Sequence, residues 1–193
     1  MVLESNFVSE DSDIDELINR FGGSSFNLGA YRVLKGHQIR KWNGTTADAF
    51  PQFRERVTCF GYDWLGRFFA LDSHRHERDR RAVIMLEPGT GEALEIPANL
   101  QSFHDEELIN YADAALAIEF HGQWLASGGQ APGLGQCVGY KVPLFLGGKD
   151  DISNVELTDL DVYWTICGQL LRKVRSLPAG TRVARITMDT PKR

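Results

Sequence analysis

TCFGYDWLG (58–66), RFFALD (67–72), RAVIMLEP (81–88) and EALEIP (92–97) are four successive runs dense in aromatic, β-branched and aliphatic residues. Each has the length of a strand, and the connections between them are short. Gly66 separates the first two, and PGTG (88–91) joins the last two as a tight turn between apolar runs of period two. Ala93, Leu94 and Ile96 carry the last run. Four such runs in sequence predict an antiparallel meander. The highly charged stretch Ser73–Arg80 reads as a solvated hairpin loop between the second and third strands.

N-terminal to the meander, residues 1–12 read as a flexible lead. Ser12 or Asp13 is placed to cap a short helix, IDELINRF (14–21), which stops at Gly22-Gly23. Ile14, Leu17, Ile18 and Phe21 fall at helical spacing and are expected to pack on the body. Tyr31–Leu34 is a turn or short strand, residues 37–42 a short helix, Asn43-Gly44 a turn signal, and Pro51 an interruption.

On the C-terminal side, residues 99–127 read as helical. Ser102 marks the start, Glu106 or Glu107 sits in the first turn, and Leu108, Ala112, Ala115, Leu116, Ile118, Phe120 and Trp124 form an apolar face. SGGQAPG (127–133) ends it. CVGYKVPLFLGG (137–148) is compact and apolar, with Pro143 excluding a central strand position. A strand is expected over 152–158, then a helix capped by Thr158 or Asp159 and running to about Arg175, then a last strand over 181–188. Strands gathered in the middle, with helices before and after, predict an α+β fold with a central antiparallel sheet. The expected organisation is one domain over 13–187, divided into 13–98 and 99–187, followed by a tail at 188–193.

With 193 residues, 42% of them hydrophobic, and eleven Phe and four Trp, the chain can build one sizeable core. Its most apolar windows, Val83–Leu86 and Val142–Leu146, are far shorter than the roughly 20 residues of a spanning helix. The N-terminus lacks the basic and apolar segments of a secretory signal, so a cytoplasmic protein without a membrane partner is expected. Cys59, Cys137 and Cys167 are scattered and lie beside apolar or aromatic residues. Three buried free thiols are expected from them.

Charge is uneven. Residues 99–171 hold ten acids against only Lys141 and Lys149, whereas 172–193 hold seven bases and one acid. A net charge of −5 repels nucleic-acid phosphate at long range and attracts a basic partner. The bases of the C-terminal stretch are scattered rather than interleaved with aromatics, so nucleic acid is not an expected partner.

No catalytic, cofactor-binding or metal-ligating set stands out. His74-x-His76, near Asp72, Glu77 and Asp79, supplies part of a metal site without further ligands at defined spacing. His104-Asp105-Glu106-Glu107 could hold a general base, but acids in a first helical turn need no further reason. His37 and His121 are expected at the surface or as satisfied interface histidines. The glycine pairs fit neither GxGxxG nor a Walker loop. No GxSxG elbow is present, and Cys137 has no base beside it in sequence. Tyr62, Trp64, Tyr140, Phe145, Tyr163 and Trp164 lie near acids, as interface aromatics often do, although Phe145 and Trp164 read as core.

The strings Cys137-Val-Gly-Tyr140, Lys141-Val-Pro-Leu-Phe-Leu-Gly-Gly148 and Asp161-Val-Tyr-Trp164, followed by Gly168-Gln169, resemble the C-terminal region of the Tdi1-like immunity proteins of the type VI secretion system. FGYDWLGRFFALD (60–72), MLEPGTGEALEIP (85–97) and FHDEEL (103–108) resemble the GAD-related region that precedes it. Together they cover roughly residues 20–187. The resemblance implies a cytosolic inhibitor that neutralises a cognate toxin, typically a DNase effector, by stoichiometric binding and without a cofactor. Charge complementarity to a basic nuclease surface then points to Asp150, Asp151, Glu156, Asp159, Asp161, Glu106, Glu107, Asp113 and Glu119 as partner-binding residues. Two other readings are a scaffold of the same fold and a small metal-dependent hydrolase built on the acids between 150 and 161.

Overall fold

The computed structural model describes residues 10–177. The expected strand at 181–188 and the tail lie outside the described residues, as do residues 1–9 of the lead. Helix α1 (Glu10–Phe21) leads into two short strands, β1 (Ser25–Phe26) and β2 (Tyr31–Val33), and then α2 (Gly36–Ala49). The four expected strands follow as β3 (Val57–Asp63), β4 (Phe68–Glu77), β5 (Arg80–Glu87) and β6 (Glu92–Asn99). Short helical pieces come next: α3 (Leu100–Ser102), a π-turn (Phe103–Glu107), α4 (Leu108–Asn110), α5 (Ala112–Leu116) and α6 (Ile118–Ala126). A two-stranded ribbon of β7 (Gln136–Tyr140) and β8 (Val155–Asp159) precedes the final helix, α7 (Leu160–Arg175).

The meander is the heart of an antiparallel sheet ordered β1-β2-β3-β4-β5-β6, two strands wider than the four runs predict. Its central strands are apolar without alternation because both faces are covered. Phe68, Ala70, Ile84 and Leu86 face α2 and α7. Their immediate neighbours Phe69, Leu71, Val83 and Met85 face α1 and the helical pieces after β6. This is the period-two rule applied to two cores. Gly168 of α7 lies against Ala49 of α2, letting the two helices approach closely. A third cluster packs the β7–β8 ribbon and α6 around Trp64 and Leu65. All three cysteines are free and buried, as expected.

Several local expectations need correction. Helix α1 already runs from Glu10, so neither Ser12 nor Asp13 caps it; Asp13 instead pairs with Arg80 at 3.1 Å. Asn43-Gly44 is not a turn but mid-helix. Asn43 Oδ1 accepts the backbone N–H of Cys59 at 2.8 Å, and the tertiary bond outweighs the local turn preference. The charged stretch after Asp72 is strand through Glu77. Only Arg78 and Asp79 turn, both at positive φ as a two-residue hairpin needs.

The single helix expected over 99–127 is broken. Asn99, not Ser102, caps its first piece, and Ala117 at φ 50° separates α5 from α6. Tyr62, Trp64, Tyr140 and Tyr163 are buried like Trp164, the core alternative for such aromatics. The start of α7 agrees with the sequence. Asp159 accepts the N–H groups of Asp161 and Val162 at 2.9 and 3.0 Å, a cap worth about 1 kcal/mol.

Candidate functional site

The nine acids singled out by charge fall in three places. Asp150 and Asp151 line a cleft at the seam between the sheet and the β7–β8 ribbon. Asp113 and Glu119 belong to the neighbouring helical wall. Asp113 Oδ1 accepts the N–H of Glu119 at 2.9 Å, and Phe120, the next residue, lines the same cleft. A second group, Glu156, Asp159 and Asp161, lies along β8 and the start of α7. There Asp161 holds Lys41 at 2.9 Å. The third pair, Glu106 and Glu107, sits in the π-turn. Glu106 is gripped at both oxygens by Arg78 of the β4–β5 hairpin, at 2.9 and 3.2 Å, and this holds its carboxyl below the usual glutamate range.

Several of these carboxylates also have a structural task. Asp151 accepts both the backbone N–H and the hydroxyl of Ser153, and this bonding lowers its pKa. Asp150 accepts a hydrogen bond from the Tyr140 hydroxyl at 2.7 Å.

The seam cleft has a volume of about 790 Å³. Its meander side is Leu65, Arg67, Glu87 and Thr90; its opposite side comes from α6 and the turn at 150–153. The PGTG turn is locked into this seam. A Cβ on Gly89 would stand 2.7 Å from the Tyr140 ring, and the Gly89 carbonyl accepts the N–H of Leu144 at 2.8 Å. Beneath lies a buried ion pair. Asp63 Oδ2 accepts Arg67 Nε at 2.6 Å, Asp63 Oδ1 accepts two backbone N–H groups, and Arg67 Nη2 donates to the Ala115 carbonyl.

Glu87 closes β5 against the cleft, only 8% exposed. Burial pushes its carboxyl up from 4.5 to about 6; Arg67 opposes the shift, while Asp63, Asp150 and Glu92 add to it. The folded chain therefore holds this proton up to about pH 6, whereas the unfolded chain releases it near 4.5. Ionised Glu87 costs stability above pH 6, and the cost fades as the pH falls to 4.5. Glu87→Gln is accordingly expected to stabilise the free protein by about 2 kcal/mol at pH 7.5 and by little at pH 4.5. Urea unfolding at the two pH values measures it; an equal or opposite effect at pH 7.5 would contradict the burial argument.

A second concavity, about 900 Å³, is lined by Leu17, Phe21, Phe26, Tyr31, Leu108 and Ile118 among others. His104 forms part of its wall. Its Nδ1 donates to the Leu100 carbonyl at 2.8 Å, so Nε2 accepts from the Tyr31 hydroxyl at 3.0 Å. Burial lowers the His104 pKa and keeps the ring neutral, a positioned structural group rather than a free base. Ile109 and Tyr111 stand exposed between the acids of the π-turn and Asp113.

His74 and His76 lie on β4, and the nearby Asp72 is committed to Arg56 at 2.7 and 2.6 Å. Among the described residues no three His, Cys, Asp or Glu side chains are grouped to hold a metal ion. No described helix is long and apolar enough to cross a membrane. His37 is exposed, but His121 is buried near Trp64, and its Nε2 has no partner among the described residues, contrary to the expectation of a surface or satisfied histidine. Sequence reasoning missed Glu87. The signal was present, since alternation along β5 sets it on the same face as Val83 and Met85, both buried.

Fold and surface together define an α+β protein whose concavities join apolar walls to carboxylates. Residues 98–171 match the family model described as T6SS immunity protein Tdi1, C-terminal. The matched stretch supplies one wall of each concavity. A search of curated proteins found no match. Among solved structures, the crystal structure of Atu4351 from Agrobacterium tumefaciens is similar in fold. It superposes with a TM-score of 0.53 at 16% identity, over 86% of this chain and 83% of that one.

Proposed function

We propose that this chain binds and neutralises a cognate type VI toxin, a secreted nuclease effector, by direct stoichiometric contact in the cytoplasm of the producing cell. The observation that carries the reading is the immunity-family match over 98–171. The excess of acid in the same stretch supports a basic partner surface such as a nuclease presents to nucleic acid. Asp150, Asp151, Asp113 and Glu119 form the proposed centre of contact. Glu156, Asp159, Asp161, Glu106 and Glu107 supply flanking charge that speeds encounter. Inhibition by covering a surface requires neither catalysis nor a cofactor. Residues 13–187 are read as one domain, with 13–98 the GAD-related region. The core cluster joining Phe68, Ile84 and Leu86 to Trp164 and Leu171 supports that reading.

Capture from the native host, followed by mass identification, supplies the effector for titration with purified protein. The double variant Asp150→Lys, Asp151→Lys is expected to weaken the complex by more than about tenfold, and wild-type affinity is expected to fall as salt rises. Unchanged affinity in both tests would remove these residues from the contact.

A further inference from the structure

We infer that the seam cleft receives an arginine side chain of the partner, with Glu87 as its counter-ion. This rests on the reading that the chain binds a basic toxin. Three observations lead to it. Glu87 is nine-tenths buried and lines the cleft, and among the described residues its carboxylate makes no hydrogen bond or ion pair, while its backbone carbonyl accepts from Gly91. Its one attractive charge, Arg67, already gives Nε to Asp63 and Nη2 to Ala115. Asp150 and Asp151 stand on the same cleft, so its charged residues with Asp63 are four acids against one base.

The shape and chemistry select the occupant. Leu65, Phe120 and Leu144 offer apolar walls for the methylene stem of a long side chain. A guanidinium is more weakly hydrated than an ammonium and suits a buried ion pair beside an aromatic ring. A carboxylate that burial keeps costly in the free protein gains most when a cation arrives. Polar side chains held at a stability cost in this way are common where function needs them.

The test uses the whole chain and two short peptides, Ac-Gly-Arg-Gly-NH2 and its neutral isostere with citrulline in place of arginine. In ¹H–¹⁵N spectra the arginine peptide is expected to give saturable shifts at Thr90, Phe120, Gln123 and Tyr140, and the citrulline peptide is not. Glu87→Gln keeps the fold and is expected to weaken the arginine peptide by more than about tenfold. Equal response to both peptides, shifts scattered over the acidic surface, or an unaffected Glu87→Gln variant overturns the inference. The toxin titration separates the two readings. A toxin that binds Glu87→Gln as tightly as wild type overturns the arginine site alone. A toxin that binds neither protein overturns the immunity reading, and the peptides still decide the cleft.

Discussion

Asp63→Ala is expected to cost about 3–5 kcal/mol of folding stability, a large share of the roughly 5–15 kcal/mol that holds a domain together. Asp63 has no exposed surface and closes three hydrogen bonds, to the backbone N–H groups of Leu65 and Arg67 and to Arg67 Nε at 2.6 Å. Truncation leaves the buried Arg67 guanidinium without its ion-pair partner and frees two backbone donors in the turn between β3 and β4. Breaking such a pair costs far more than never having built it. Asp63→Asn keeps an oxygen for the backbone donors and removes the charge, so it is expected to fall between wild type and Asp63→Ala. Urea denaturation measures both. A loss below about 1 kcal/mol for Asp63→Ala would mean that the ion pair contributes little.

Trp164→Ala is the second large effect, again about 3–5 kcal/mol. Trp164 is 1% exposed, its ring centroid lies 5.3 Å from that of Phe68 and 6.1 Å from that of Phe50, and its indole N–H donates to the Gly66 carbonyl at 2.7 Å. The side chain thus bolts α7 to the turn between β3 and β4. Trp164→Phe retains most of the ring and loses the hydrogen bond, so a smaller loss, about 1–2 kcal/mol, is expected. Thermal melts are expected to show one cooperative transition, lowered by on the order of 10 °C in Trp164→Ala. Two separable transitions would contradict a single domain spanning the meander and the family-matched stretch.

The meander was legible because its strands are bounded by turn residues and its central runs, through Leu71 in β4 and Leu86 in β5, are densely apolar. The period of two read on both sides of the PGTG turn does not hold in β5, whose residues 82–87 are buried on both faces. The N-cap at Asp159 was legible because it depends on one residue and the helix behind it. Asn43-Gly44 misled because its role is set by a bond to Cys59, sixteen positions away, which no local rule contains. The helical stretch after β6 was recognised by its apolar face. Its breaks at the π-turn and at Ala117 left no mark, since alanine ordinarily favours helix.

The candidate site was legible only in part. Composition marked the acids of 99–171 as a group, but the fold distributes them over three places and commits several to caps and ion pairs. Asp150 and Asp151 meet at the cleft because a hairpin turn, a ribbon and α6 converge there. That convergence lies in tertiary structure, where Glu87 is added from a strand that charge counting passed over.

Titration of the purified effector with the whole chain, following both complex formation and nuclease activity across a salt series, bears most directly on the proposed function. The expected result is a saturable complex of fixed stoichiometry, nuclease activity falling in proportion to the complex formed, and affinity that declines as salt rises. A chain that forms no complex with the effector, or that binds it while leaving nuclease activity intact, would contradict neutralisation by direct contact.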